Sequence, residues 1–269
     1  MLVRTWNVFH GNAKPPERRA FLEEMVRLAT ADRPDVLCLQ EVPVWALERL
    51  AEWSGMTAVG AVAARPTIGP LPSTAELGRR LTALDHGRFR SAFSGQANAV
   101  LVGAGLRVLD ERRLALNPRR FRAAQGRWLG LGLVARLAWA KERRVCQAVH
   151  VGGEGGATTL VANLHATSYP ADRRLADAEL LRAAWFVDAL AAPQEPVVLC
   201  GDFNVEGERS RTLRDLAGPE WGFSAAGEGI DHVLVRGVEA GPAERWPPER
   251  RRLDGRMLSD HAPVEVRVG

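Results

Sequence analysis

The chain has 269 residues, a length that suits one large domain or two small ones, and its 46% apolar and 25% charged residues are ordinary for a globular protein with a sizeable core. It contains no run of 18 or more apolar residues, which excludes a transmembrane helix, and its start, MLVRTWNVFHGN, lacks the charged-then-apolar pattern of an export leader, so a cytoplasmic location is the expectation. The formal charge of +4 is carried almost wholly by arginine, whose planar fork suits phosphate, although an Ala- and Arg-rich chain also follows from codon bias.

In chain order, LVRTWNV (2–8) reads as a strand. ERRAFLEEMVRLAT (17–30) sets Phe21, Leu22, Met25 and Ala29 at helical spacing, with Pro34 just past its end. DVLCLQ (35–40) is a short apolar run typical of a covered strand, so the chain opens on a β-α-β unit. VWALERLAEW (44–53) predicts a second helix. Residues 55–95 read as an irregular excursion in which TAELGRRLTALD carries a helical pattern. QANAVLVG (96–103) and LRVLDERRLAL (106–116) are expected to pair as strands. Residues 117–143 are ambiguous, WLGLGLVARLAWA being compatible with a short apolar helix that covers a surface.

RRVCQAVHV and TTLVANLHAT, joined by GGEGGA, predict a hairpin. RRLADAELLRAAWFVDAL (173–190) is the clearest helix, with Ala178, Leu181 and Trp185 on one side and Leu180, Ala184 and Val187 beside them. VVLCG is a strand, SRTLRDLAG a short helix ending at Gly218, and the chain closes on the strands HVLVRGVEA and APVEVRVG. Cys38, Cys146 and Cys200 lie far apart in apolar runs without metal spacing, as small core residues in a reducing environment do. Nothing divides the sequence, so one domain over 1–269 is expected.

The polar residues collect at strand ends. Asn7, Glu41, His165 and the pair Asp202 and Asn204 stand at strand C-termini, whereas Asp231 and the pair Asp260 and His261 precede strands. All of them meet on one rim only if the last two strands run against the earlier ones, which requires mixed or antiparallel sheets. Carboxylates and amide oxygens are hard ligands suited to Mg²⁺, Mn²⁺ or Ca²⁺.

The ordered motifs TWNV, LQEV, NLH, GDFN, IDHV and SDHAPV closely resemble the endonuclease/exonuclease/phosphatase superfamily, over residues 5–266. That family includes pancreatic-type deoxyribonucleases, abasic-site endonucleases, sphingomyelinases and inositol polyphosphate phosphatases. The resemblance implies an α+β fold, a four-layer αββα sandwich of two packed mixed or antiparallel sheets flanked by helices. It implies Mg²⁺, or Mn²⁺, held by Glu41 and Asn7, with Asp260 contributing directly or through water. It implies that Asp202 orients or deprotonates the attacking water, and that Asn204 holds that water or the phosphate. His261, fixed by Asp231, would contact the phosphoryl oxygen, and His165 would assist phosphate binding. Two departures stand out. Phe9 replaces an acid found two residues after the first Asn in some members, and Val42-Pro43 replaces the Thr-Lys of abasic-site enzymes, which argues against a dedicated abasic-site role.

Each residue taken alone has a plainer reading: a turn for Asn7, Asp202 or Asn204, a strand cap for Asp231, a loop ion pair for Asp260 and His261, a core histidine for His165. His10 stands evenly between site and structure, and His86, His150 and His232 read as structural or solvent-facing. Ser259 lacks the Gly-x-Ser-x-Gly elbow and is rejected as a nucleophile. The arginines at 173–174, 209–211 and 250–256 read by default as solvated surface charge. The expected function is a metal-dependent phosphoester hydrolase, as a monomer without stable membrane insertion, acting on a phosphodiester with nucleic acid ahead of lipid. A phosphatase or phosphodiesterase of a lipid, nucleotide or sugar phosphate is the alternative within that class. A non-catalytic binding module on the same scaffold is the alternative outside it.

Overall fold

In the computed structural model, which describes the backbone of residues 1–269 and all side chains except those of residues 154, 225, 226 and 228, two six-stranded sheets pack face to face between outer helices. The strands of the sheets, in chain order, are β1 (Leu2–Asn7), β2 (Val36–Val42), β3 (Thr57–Ala64), β4 (Gln96–Val102), β5 (Arg107–Ala115), β6 (Val145–Gly152), β7 (Thr158–His165), β8 (Val197–Asp202), β9 (Ser224–Glu228), β10 (Asp231–Arg236), β11 (Glu244–Arg245) and β12 (Val264–Arg267). One sheet runs β11-β12-β1-β2-β4-β3 and the other β9-β10-β8-β7-β6-β5. The helices are α1 (Leu22–Thr30), α2 (Leu50–Ser54), α3 (Ala75–Leu84), α4 (Arg119–Trp128), α5 (Leu133–Lys141), α6 (Arg174–Leu190) and α7 (Arg211–Leu216). This is the α+β sandwich of packed mixed sheets and covering helices.

Side-chain alternation along the strands sorts residues into layers. On β2, Val36 and Cys38 enter the valine-rich layer between the sheets, whereas Leu37 and Leu39 meet Met25 and Ala29 of α1. On β8, Val198 and Cys200 face inward, while Val197 and Leu199 pack under Leu180, Ala183, Ala184 and Val187 of α6. Valine is short and stiff at its branch point, so it fills a thin inter-sheet layer at little rotamer cost. All three cysteines are buried and free.

Strand direction meets the requirement set by the sequence. β1 runs parallel to β2 and antiparallel to β12, and β8 runs parallel to β7 and antiparallel to β10. His165 is registered with Asp202, and Asp202 with Asp231, so the ends of three strands lie side by side.

Several local expectations are corrected. α1 begins at Leu22 rather than 17, because the preceding loop is tied down by the Phe21 N–H donating to the Gly11 carbonyl at 2.8 Å. Residues 44–53 form a 3-10 turn, Val44–Arg49, that leads into α2. β4 and β5 do not pair with each other. β4 already has β2 and β3 on its two edges, so β5 has no free edge there and crosses to the second sheet to pair with β6. On α6 the buried stripe is Ala176, Leu180, Ala183, Ala184 and Val187. Leu181 and Trp185 are exposed, and Trp185 sits edge-on to Trp221 at 5.1 Å. Among the described residues no helix is long and apolar enough to cross a membrane.

Gly201 shows how tightly β8 is delivered to the rim. Its φ is +137°, and a Cβ there would lie 1.9 Å from the Leu164 carbonyl oxygen of β7. Gly201→Ala is therefore expected to destabilise the fold by on the order of 3 kcal/mol, combining overpacking with an unfavourable backbone region. Urea unfolding reads this directly, and an unchanged midpoint would contradict the assigned contact.

Candidate active site

The rim is assembled from strand ends whose backbones are held in uncommon conformations. Among the described residues nine non-glycines have positive φ, and five of them, Phe9, His10, Glu41, Asn204 and Ser259, cluster here. Such conformations persist only where surrounding contacts enforce them, and they gather at functional sites. Glu41 is the clearest case: the β2–β4 register shifts between Leu39 and Val42, so a bulge with φ +57° turns its side chain out of the ladder.

Asp202 is at the centre. It is buried, its Oδ2 accepts from Asn7 Nδ2 at 2.9 Å, and its Oδ1 accepts from the backbone N–H of Asn204 at 3.1 Å. His261 bridges the two registered acids. Its Nδ1 lies 3.0 Å from both oxygens of Asp231, and its Nε2 lies 3.8 Å from Asp202 Oδ2. Burial works against charge on His261, but the Asp231 hydrogen bond and the carboxylates of Asp202, Asp231 and Asp260 outweigh it and push the imidazole up to about 10. Burial pushes Asp202 up as well, to about 7, against the pull of the His261 charge and with the neighbouring Asp231 and Glu41 adding to the rise.

His165 is held the opposite way. Its Nδ1 faces two donors, Gln96 Nε2 at 2.9 Å and Arg144 Nη1 at 3.1 Å, so Nδ1 carries the lone pair and Nε2 the proton. That Nε2 lies 3.5 Å from Asp202 Oδ2 and 3.8 Å from Glu41 Oε1. Burial, followed by the Arg144 charge, holds its pKa well below the usual histidine value, so the ring is neutral. The rim thus pairs a neutral N–H donor with a cationic one.

Glu41 has His10 Nε2 at 3.3 Å on one oxygen and His165 on the other, and its side chain is 18% exposed. Among the described residues no lysine or arginine lies within ion-pair distance of it. A mostly buried carboxylate facing only imidazole edges suits a cation, and the oxygens of Glu41, Asn7 and the exposed Asp260 are of the ligand type that a hard divalent ion takes. Asn7 Oδ1 also accepts from Phe9 N at 3.0 Å, which fixes the direction of the amide. Asp202, Asp231 and His261 bring one ligand-type atom from each residue within 4.8 Å of one another. There the imidazole proton already points at Asp231, so an acid–base relay describes that group better than a metal cage does.

The remaining expected residues sort cleanly. Asn204 Nδ2 donates to the Ala166 carbonyl at 3.0 Å, which leaves its Oδ1 as the free end. Ser259 is buried, donates to the Asn7 carbonyl at 2.6 Å and accepts from His261 N at 3.0 Å, a strut between two site loops rather than a nucleophile. His86 Nε2 sits 2.7 Å from the His10 carbonyl and His232 Nε2 2.9 Å from that of Val205, both structural. The arginine groups are largely occupied: Arg173 and Arg209 share Glu206, Arg250 meets Asp32 and Glu265, and Arg251 donates to the carbonyls of Leu258, Ser259 and His261.

Sequence reasoning missed Gln96 and Arg144, the two donors that set the His165 tautomer. It also missed Gln40 and Asn163, which link the sheets beneath the site at 2.7 Å. The one signal for the first pair was a polar residue opening an apolar strand run, QANAV and RVCQA.

Comparison with known proteins agrees with this architecture. The profile of the Endonuclease/Exonuclease/phosphatase family matches residues 5–261. No curated protein matches the sequence. Among solved structures, the human Nocturnin catalytic domain with bound sulfate superimposes with a TM-score of 0.67 at 14% identity, covering 100% of this chain and 94% of that one. A mannosyl-6-phosphatase of Bacteroides thetaiotaomicron gives 0.63 at 14% identity, with 100% and 99% covered. A conserved protein of unknown function from Enterococcus faecalis gives 0.68 at 16%, with 100% and 99% covered.

Proposed function

Because the chain belongs to the Endonuclease/Exonuclease/phosphatase family, we propose that it is a divalent-metal-dependent phosphoester hydrolase in which water attacks phosphorus, working as one domain and as a monomer. The observation that carries this reading is the chain of short separations from Glu41 through His165 and Asp202 to His261, at 3.8, 3.5 and 3.8 Å. Glu41, Asn7 and Asp260 would hold Mg²⁺ or Mn²⁺. When bound, such a cation supplies positive charge to the phosphoryl oxygens. Asp202 orients the attacking water and takes its proton, and the free Oδ1 of Asn204 accepts a hydrogen bond from that water. The protonated Nε2 of His261 donates to a phosphoryl oxygen as negative charge builds there, held on target by Asp231. His165 offers a second N–H from the opposite side.

A phosphodiester of nucleic acid is the favoured substrate on charge, since the chain carries +4 overall. The test is a metal-supplemented panel of plasmid DNA, single-stranded DNA, RNA, sphingomyelin, inositol phosphates and a generic phosphodiester. Turnover confined to lipid or sugar phosphates would reject nucleic acid and keep the hydrolase. Turnover that chelation abolishes and Mg²⁺ restores is expected, with Glu41→Gln raising the metal concentration needed for half-activity by about tenfold or more. Full activity in excess chelator would reject the metal, and no turnover on any substrate would favour a binding module.

A further inference from the structure

The segment between β5 and β6 hangs from the catalytic edge of the second sheet. Ala115 is registered with Val145 and Leu164 with Cys146, so the end of β5 and the start of β6 stand beside His165, and Arg144 at the segment's base touches that histidine. The inner faces of α4 and α5 are satisfied, since Phe121 of α4, Leu131 between the helices and Trp139 of α5 pack with Leu175 of α6. The outer face is not. Trp128 is 81% exposed, Leu133 73%, Val134 72% and Leu137 61%.

The same segment carries five exposed cations, Arg119, Arg120, Arg127, Lys141 and Arg143, none paired with an acid among the described residues. Residues 119–143 contain one acid, Glu142, and it is already held by Arg144. Large exposed apolar side chains on a segment rich in unpaired cations match what a membrane interface with anionic headgroups takes: the apolar tips enter the acyl boundary and the cations stay among the phosphates.

We propose that α4 and α5 form a docking surface for an anionic lipid bilayer, which brings the catalytic rim to the membrane. A second copy of the chain is disfavoured, because a two-fold contact would oppose the same unpaired cations. Nucleic acid would use the arginines and stack on Trp128, but gives Leu133, Val134 and Leu137 nothing to enter. The proposal stands apart from the catalytic reading, and its test involves no turnover.

The full chain is mixed with vesicles of phosphatidylcholine alone, or of equal parts phosphatidylcholine and phosphatidylserine, and sedimented. Binding to the mixed vesicles is expected to exceed binding to the neutral ones by about tenfold or more, and to fall with added salt. The triple variant Trp128→Ser, Leu133→Ser, Leu137→Ser is expected to lose about tenfold or more of that binding. A second variant, Arg119→Glu with Arg120→Glu and Arg127→Glu, is expected to lose a comparable amount. Circular dichroism checks that both variants fold, and either variant suffices if the other does not. A parent protein that stays in the supernatant overturns the proposal, as does undiminished binding by a folded variant. Patch-dependent dimerisation without vesicle binding overturns it in favour of a second copy. Loss of oligonucleotide binding in the triple variant, with vesicles ignored, overturns it in favour of nucleic acid.

Discussion

Asp202→Asn is expected to lower kcat by on the order of 10³-fold on whichever phosphoester the enzyme accepts, while leaving the fold intact. The size follows from the role: a general base removed without replacement forfeits proton transfer, and an amide cannot accept a proton at neutral pH. The preserved fold follows from burial. Asp202 is pushed up to about 7, so the folded state already resists its ionisation, and a neutral residue of the same shape removes that penalty. The sign is clear. A carboxyl raised above its unfolded value costs stability as pH climbs from the unfolded pKa to about 7, so the variant gains on the parent across that range and keeps the gain above it. The amide also keeps an oxygen for the Asn204 N–H. Turnover close to the parent's would remove Asp202 from the mechanism, and a collapse of the melting transition would show that the loss of activity is structural.

Much of the site was legible because its residues end strands. A strand shows its apolar run plainly, and the polar residue that stops the run is the one delivered to an edge. Asn7, Glu41, His165 and Asp202 announce themselves in this way, Asp231 instead opens its strand, and the direction of the last strands followed from asking that all of them meet. What stayed hidden was set by neighbours distant in sequence. Gln96 and Arg144 reach His165 from β4 and the start of β6, across two different sheets, and no local pattern encodes that approach. The pairing of β4 with β5 failed for a related reason: a short turn between two strand-like runs suggests a hairpin, but only the sheet shows that β4 has both edges taken. On α6, Leu181 and Trp185 made the heavier stripe by eye, yet small alanines allow the closer approach to β8, and the heavy side chains are left outside. The segment 117–143 resisted reading because α5 is apolar on its exposed face as well as its buried one, which blurs the periodicity that separates core from surface.

Asp231→Asn tests the other half of the chemistry. His261 owes its charge to the carboxylates around it. Burial alone favours the neutral ring, and the Asp231 hydrogen bond leads the groups that reverse this and push it up to about 10. An asparagine keeps the shape but removes that charge, so the imidazole becomes neutral at a lower pH and no longer matches the negative charge that develops on the phosphoryl oxygen. A fall in kcat of about 10²- to 10³-fold near neutral pH is expected, with little change in KM, because the interaction strengthens in the transition state. The pH profile carries the sharper signature. In the parent, the alkaline limb should follow loss of the His261 proton, and in the variant that limb should move to lower pH. Stability obeys the same linkage: a histidine raised above its unfolded value contributes fully below about pH 6.5 and loses that contribution as pH rises through about 10. The parent should therefore outlast the variant in urea at neutral pH, and the gap should close above pH 10. An alkaline limb that does not move would mean that another group, not His261 held by Asp231, bears the catalytic proton.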